Sequence, residues 1–128
     1  MRVLVDTQSV IWYFIESPLL SKKAHHIIDN PENQCLLSLA SIWEMAIKLR
    51  KGGDLGLNGS LQDFIERVEE FDFEFLAISK SHIYKTQKLE LFHNDPFDRL
   101  IIAQAIFENL HIISSDEVFD KYPVTRLW

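Results

Sequence analysis

The chain has 128 residues, 13 Lys and Arg against 19 Asp and Glu, a formal net charge of −6 and an apolar fraction of 47%. At roughly 100–200 residues per domain this reads as one domain spanning 1–128, long enough to hide about two-thirds of the surface its unfolded chain would expose, so disorder is excluded as the default. The lone cysteine, Cys35, excludes an internal disulfide framework and a cysteine-cluster zinc site, and the expected compartment is a reducing cytoplasm.

The start, Met1-Arg2-Val3-Leu4-Val5-Asp6, places a charge too early for a signal peptide, and no uncharged stretch reaches the ~20 residues of a membrane span. A soluble protein is expected. The acidic balance weighs against a passive nucleic-acid binder, which draws its affinity from a Lys/Arg surplus. The exception is a set of carboxylates converging on a divalent cation, because the cation then attracts phosphate.

In chain order, the apolar runs Arg2 to Val5, Gln34 to Leu37, Phe75 to Ile78 and His111 to Ile113 read as buried parallel strands. Helix-period segments alternate with them: Ser9 to Ile15, Ser21 to Ile28, Ala40 to Arg50, Ser60 to Phe71, Lys80 to Leu89 and Pro96 to Asn109. The alternation predicts an α/β layer fold, a small Rossmann-like and mainly parallel sheet flanked by helices, with Thr125 to Trp128 as a last strand. All four glycines fall between Gly52 and Gly59, after a helix, so neither a Walker A loop nor a dinucleotide fingerprint exists.

In open α/β sheets ligands bind outside the carboxyl ends of the strands. Asp6 follows the first strand directly and Asp116 follows the fourth through Ser114-Ser115. Each also suits the N-cap of a following helix. The run Asn94-Asp95-Pro96-Phe97-Asp98-Arg99 starts a helix with Asp95 as N-cap and Pro96 in the first turn. Asp98 then lies in the first turn of a helix apolar nearly all round, and a carboxylate there needs a counter-charge from Arg99 or a metal.

Glu44 sits between Trp43 and Met45 in an apolar helix with Lys48 four residues on. It reads equally as a surface ion pair or as a buried acid. Four acids from separate elements would repel one another unless a cation held them, and an oxygen donor set favours Mg²⁺ or Mn²⁺ over zinc. Such a site suits metal-assisted phosphodiester hydrolysis. Neutralising the four acids takes the formal charge from −6 to −2, and Lys22, Lys23, Lys48, Arg50 and Lys51 are then candidates to guide a polyanion.

His25-His26 read as surface residues, and His93 as a loop residue within hydrogen-bonding reach of the same region. Cys35 lies in a buried strand and no Gly-x-Ser-x-Gly elbow exists, so serine and cysteine hydrolases lack support. The trio Trp12-Tyr13-Phe14 exceeds what a short helix can bury and is a candidate protein-protein surface.

Four segments taken together, Leu4-Val5-Asp6-Thr7 with Trp12, Ser41-Ile42-Trp43-Glu44, His93-Asn94-Asp95-Pro96-Phe97-Asp98-Arg99 with Ile102-Ala103-Gln104-Ala105, and Ser114-Ser115-Asp116, resemble PIN-domain proteins of the VapC type, toxins of bacterial toxin–antitoxin pairs. The resemblance runs through the whole chain in order. It implies a Mg²⁺- or Mn²⁺-dependent ribonuclease with its acidic quartet on Asp6, Glu44, Asp98 and Asp116 and hydroxyl support from Thr7 and Ser114; from their charge alone, Lys48, Arg50 and Arg99 are expected as substrate contacts. It further implies a homodimer and a cognate antitoxin that occludes the site. Ser114 stands where the family usually has Thr, which keeps the hydroxyl.

The alternatives are a PIN-like nuclease of RNA or DNA processing without an antitoxin, and a noncatalytic interaction domain whose acids only cap helices. A receiver-type phosphoacceptor needs paired acids after the first strand, which Asp6-Thr7 does not supply.

Overall fold

The computed structural model describes residues 1–128. Five parallel strands, β1 (Arg2–Val5), β2 (Gln34–Ser38), β3 (Glu74–Leu76), β4 (His111–Ile113) and β5 (Arg126–Leu127), form one sheet in the order β3-β2-β1-β4-β5. Six helices connect them: α1 (Thr7–Phe14), α2 (Lys22–Asp29), α3 (Leu39–Arg50), α4 (Leu61–Glu70), α5 (Lys80–Lys88) and α6 (Pro96–Phe107). A 3₁₀ turn over Glu117–Lys121 follows β4. No helix is long and apolar enough to cross a membrane.

The strand period of two separates the core into two layers. Val3, Val5, Cys35, Leu37 and Ile113 face one way and pack with Val10, Phe14, Met45, Phe64 and Val68 of α1, α3 and α4. Leu4, Leu36 and Ile112 face the other way, against Ile101, Ile102, Ala103 and Ala105 of α6 and against Phe119 and Tyr122. The result is the expected three-layer α/β sandwich. α6 packs Ile101, Ile102, Ala103 and Ala105 onto this face and is buried by it. Its near-continuous apolar sequence follows from this.

The element boundaries shift where caps decide them. Asp6 accepts a hydrogen bond from the Ser9 amide, so α1 begins at Thr7 rather than Ser9. Ser38 caps α3 and also donates its hydroxyl to Gln104 Oε1 at 2.6 Å, tying β2 to α6. The third strand is Glu74–Leu76 and stops before Ile78, since the Ala77 carbonyl accepts from Gln104 Nε2 instead of a strand. After α3, Gly52 and Gly56 take positive φ (84° and 73°), a conformation that side chains with a Cβ resist.

The aromatic trio on α1 is mostly internal. Phe14 is buried, Tyr13 donates to Asp29 Oδ1 at 2.8 Å, and Trp12 lies 6.0 Å from the Trp128 ring. Trp12 and Tyr13 remain half-buried, so the C-terminal tryptophan and α2 cover the trio only in part. Large exposed apolar residues include Ile15, Leu19 and Phe71 near α1 and Trp43, Ile83, Tyr84, Leu91 and Phe92 elsewhere. Cys35 is buried in β2, and burial pushes its thiol up to about 11, which removes it as a nucleophile at neutral pH.

Candidate active site

β1 lies at the centre of the sheet, with β2 on one side and β4 on the other, so the carboxyl ends of three adjacent strands open onto one rim. Asp6 leaves β1 with its amide still bonded to the Ile113 carbonyl of β4 at 3.0 Å. Ser114 follows β4 directly. Ser38, at the end of β2, turns the chain into α3 and carries Ser41 and Glu44 to the same rim.

One half of the rim is dry. Asp6, Thr7, Ser41, Glu44 and Ser114 are all buried. Thr7 Oγ1 lies 2.7 Å from Glu44 Oε1 and 2.9 Å from Ser41 Oγ. A carboxylate only accepts, so the single Thr7 proton goes to Glu44 and the Ser41 hydroxyl donates to Thr7. The other Glu44 oxygen meets Lys48 Nζ at 3.0 Å. Both sequence readings of Glu44 therefore hold together: the carboxylate is buried while the ammonium end of its i,i+4 partner is half exposed. Burial raises the Asp6 carboxyl above its ordinary value; hydrogen bonds from Ser114 and Ser9 pull it back, and repulsion from Glu44 adds to the rise.

The other half is assembled by a loop. Asp95 caps α6 through the amides of Phe97 and Asp98, as the Asp-Pro pair predicts. Asp98 then sits in the first turn of α6, and its Oδ2 lies 3.1 Å from His93 Nε2. The same nitrogen is 2.8 Å from Asp116 Oδ2, while Asp116 Oδ1 accepts from the Val118 amide and caps the 3₁₀ turn. Ser114 Oγ accepts from the Asp116 amide at 3.0 Å. One ligand atom from each of His93, Asp98 and Asp116 falls within a 4.8 Å group. The Asp98 carboxyl is pushed up to about 7, first by burial, then by the neighbouring Asp95; attraction to His93 opposes the rise, and repulsion from Asp6 and Glu44 adds to it.

That last influence links the two halves through Asp98. Lys48 pairs with Glu44 in the dry half, and His93 bridges Asp98 and Asp116 in the other. The donors are mainly carboxylate oxygens, and at least two of the acids resist ionisation in the chain alone. Both properties fit a hard divalent cation.

Arg99 departs from its sequence reading as a substrate contact and counter-charge for Asp98. Its guanidinium donates to four backbone carbonyls: Nη1 to Glu90 at 2.9 Å and His93 at 3.2 Å, Nη2 to Thr86 at 2.8 Å and Leu89 at 3.3 Å. With its fork thus occupied it is a clamp on the loop. Arg50 is exposed at the end of α3, six residues beyond Glu44 and so about 120° round the helix from it, off the face that carries the acid. Lys48 alone of the three basic candidates touches the acids. The sequence reading gave His93 little weight. The signal that finds it is its place two residues before a helix-capping Asp and five before Asp98.

Beside the acids an apolar groove of about 610 Å³ is lined by Trp43, Ile83, Leu91, Phe97 and Leu100, among others. Trp43 and Phe97 meet edge to face with centroids 5.1 Å apart. They are the sequence neighbours of Glu44 and Asp98, so the groove adjoins the acidic rim.

Fold and rim together define a three-layer parallel α/β protein with a carboxylate cluster at the topological centre of its sheet. The family model for the PIN domain matches residues 3–124, and the chain belongs to that family. No curated protein sequence matches it. Among solved structures it is similar to VapBC2 from Rickettsia felis bound to a promoter DNA fragment, at 15% identity over 98% of this chain and 97% of that one, with a TM-score of 0.69. It is also similar to DNA-bound VapBC from Salmonella typhimurium (16% identity, 98% and 96% covered, TM-score 0.67). A toxin–antitoxin complex from Klebsiella pneumoniae gives 22% identity, 94% and 92% coverage and a TM-score of 0.62. At these identities the likeness is one of fold.

Proposed function

We propose that the protein is a divalent-metal-dependent endoribonuclease acting as the toxin of a toxin–antitoxin pair in the cytoplasm, with Asp6, Glu44, Asp98 and Asp116 as its catalytic acids. The observation that supports this reading is the grouping of Asp98 and Asp116 on His93, with the Asp98 carboxyl raised to about 7, in part by the charges of Asp6 and Glu44. Helix capping explains Asp6 and Asp116 singly; it does not explain why Asp98 feels the charges of Asp6 and Glu44, or why Asp98 and Asp116 share His93.

Asp6, Asp98 and Asp116 would hold Mg²⁺ or Mn²⁺, with Glu44 on the ion or on its water. When bound, such an ion supplies an attraction for the scissile phosphate and a water of lowered pKa. The chain's own residues fix the acids. Thr7 and Ser41 set the Glu44 rotamer, Ser114 contacts Asp6 and the Asp116 backbone, and the caps of α1 and the 3₁₀ turn aim Asp6 and Asp116. Lys48 partly offsets the acidic potential that phosphate must approach, and exposed Arg50 adds positive charge along α3.

Toxin identity is supported by the resemblance of sequence motifs and by the toxin–antitoxin complexes among the structural likenesses. The partners in this reading are an RNA substrate, a second copy of the chain and a cognate antitoxin. A large exposed apolar groove beside the acids is compatible with protein contacts there.

The test is cleavage of a single-stranded RNA by the purified protein with Mg²⁺ or Mn²⁺, abolished by EDTA and by Asp6→Asn or Asp98→Asn in variants with unchanged circular dichroism. Wild-type rates in either variant would defeat the site assignment. Cleavage of DNA but not RNA would defeat the substrate.

A further inference from the structure

His93 has a role that neither a ligand nor a base can fill in this arrangement. Its Nδ1 accepts the Asp95 amide hydrogen at 3.1 Å, so that nitrogen carries a lone pair and no proton. The ring proton then belongs to Nε2, which lies 2.8 Å from Asp116 Oδ2 and 3.1 Å from Asp98 Oδ2. A nitrogen that carries a proton has no lone pair for a metal or for a substrate proton. What Nε2–H does offer is a donor shared by two carboxylates that would otherwise repel each other.

The ring is held in that pose from every side. The His93 amide donates to Tyr122 Oη at 2.8 Å, and that hydroxyl donates to the Glu90 carbonyl at 2.7 Å. Arg99 grips the His93 carbonyl. The imidazole packs against Phe119 with centroids 5.7 Å apart. His93 is only 14% exposed, against 24% for Asp98 and 37% for Asp116. Each carboxylate oxygen has two lone pairs, so the bridge leaves capacity for an ion on both acids.

We infer that His93 is a positioning residue: its Nε2–H bridges Asp98 and Asp116 into a preformed pair of metal-binding carboxylates, and it does so from outside the coordination sphere. This rests on the metal-site reading above and adds to it the group that sets the spacing of two of the acids. A bridge of this kind typically accounts for 10–100-fold in metal affinity.

The experiment is Mn²⁺ titration by calorimetry of wild type, His93→Phe and His93→Gln, together with ¹⁵N spectra of the wild-type imidazole with and without Mg²⁺. His93→Phe removes the donor; His93→Gln keeps an N–H near the Nε2 position. The expected result is Mn²⁺ binding weakened about 10–100-fold in His93→Phe and substantially recovered in His93→Gln. The imidazole should be in the Nε2–H form both before and after Mg²⁺ is added.

Equal Mn²⁺ affinity in wild type and His93→Phe would overturn the inference, as would loss of the Nε2 proton on adding Mg²⁺, which would make His93 a ligand. If His93→Phe does not fold, the wild-type spectra still decide. Failure of the wild type itself to bind Mn²⁺ would overturn the metal-site reading instead, a distinguishable outcome.

Discussion

The two halves of the acidic rim are built by different means. Asp6 and Glu44 belong to a dry half, where hydroxyls of Thr7 and Ser41 lie within the buried interior; Asp6 directly follows β1 and Glu44 lies six residues past the end of β2. Asp98 and Asp116 belong to a wetter half, held together by a histidine that arrives on the loop between α5 and α6. The dry half is rigid because the sheet makes it so. The wetter half depends on whether residues 90–94 keep one conformation; between buried Leu89 and α6, Leu91 and Phe92 are exposed, Phe92 resting edge to face on Tyr122. A loop like that is held by hydrogen bonds to something stiff, here α6 through Arg99 and the C-terminal segment through Tyr122.

The largest effect that breaks this contrast comes from Arg99. Arg99→Ala removes donors from four carbonyls and should cost on the order of 2–3 kcal/mol in urea denaturation, given what hydrogen bonds to charged groups contribute. It should also release His93, so that Mn²⁺ affinity falls although no acid has been touched. Arg99→Lys should recover little, because a point charge cannot span carbonyls that a planar fork reaches. If Arg99→Ala left both stability and Mn²⁺ affinity unchanged, the wetter half would not depend on its loop.

These two halves were also unequally legible in the sequence. Strand ends, caps and helix period are local signals, and they carry the alternation of layers, the caps at Asp6, Asp95 and Asp116 and a last strand near Thr125 to Trp128. Proximity of Asp6 and Asp116 needed only that β1 and β4 be neighbours, which the register Val5 opposite Ile113 provides. The role of Arg99 was not legible, since four backbone carbonyls leave no trace in residue identity. Nor was the covering of Trp12, which depends on Trp128, far away in sequence, folding back beside α1. The motif resemblance names Asp6, Glu44, Asp98 and Asp116 without regard to what surrounds them, while it took coordinates to separate the arginine that clamps from the lysine that pairs.

A medium-sized effect sharpens the electrostatic side of the comparison. A carboxyl raised from 3.8 to about 7 keeps its proton in the folded state over a range where the unfolded chain has lost it. The native state therefore binds more protons between about pH 4 and 7, and stability contributed by Asp98 is present at the acid end and lost as pH rises through that window. In metal-free protein Asp98→Asn should remove this decline and be more stable than wild type at pH 8 by roughly 1–3 kcal/mol. Saturating Mn²⁺ should stabilise wild type at pH 8 and do much less for the variant. Thermal melts at pH 5 and pH 8, with and without Mn²⁺, measure all of it, and parallel melts for wild type and variant would refute the strained cluster.

The smallest effect belongs to the dry half. Lys48 Nζ pairs with a carboxylate that is 9% exposed, but the lysine side chain itself is 50% exposed and its charge is screened by water. Lys48→Met keeps the aliphatic stem along α3 and deletes only the charge, so the stability change should stay within about 1 kcal/mol. Glu44 retains its bond from Thr7, so the rotamer should persist. Activity should respond more than stability: RNA approaching the acids loses a nearby cation, and the effect should shrink as salt is raised from low to physiological ionic strength, because screening already removes most of it there. A stability loss several times larger, or a rate loss independent of salt, would mean that Lys48 holds Glu44 in place, and the dry half would then rely on a surface side chain as much as the wetter half relies on its loop.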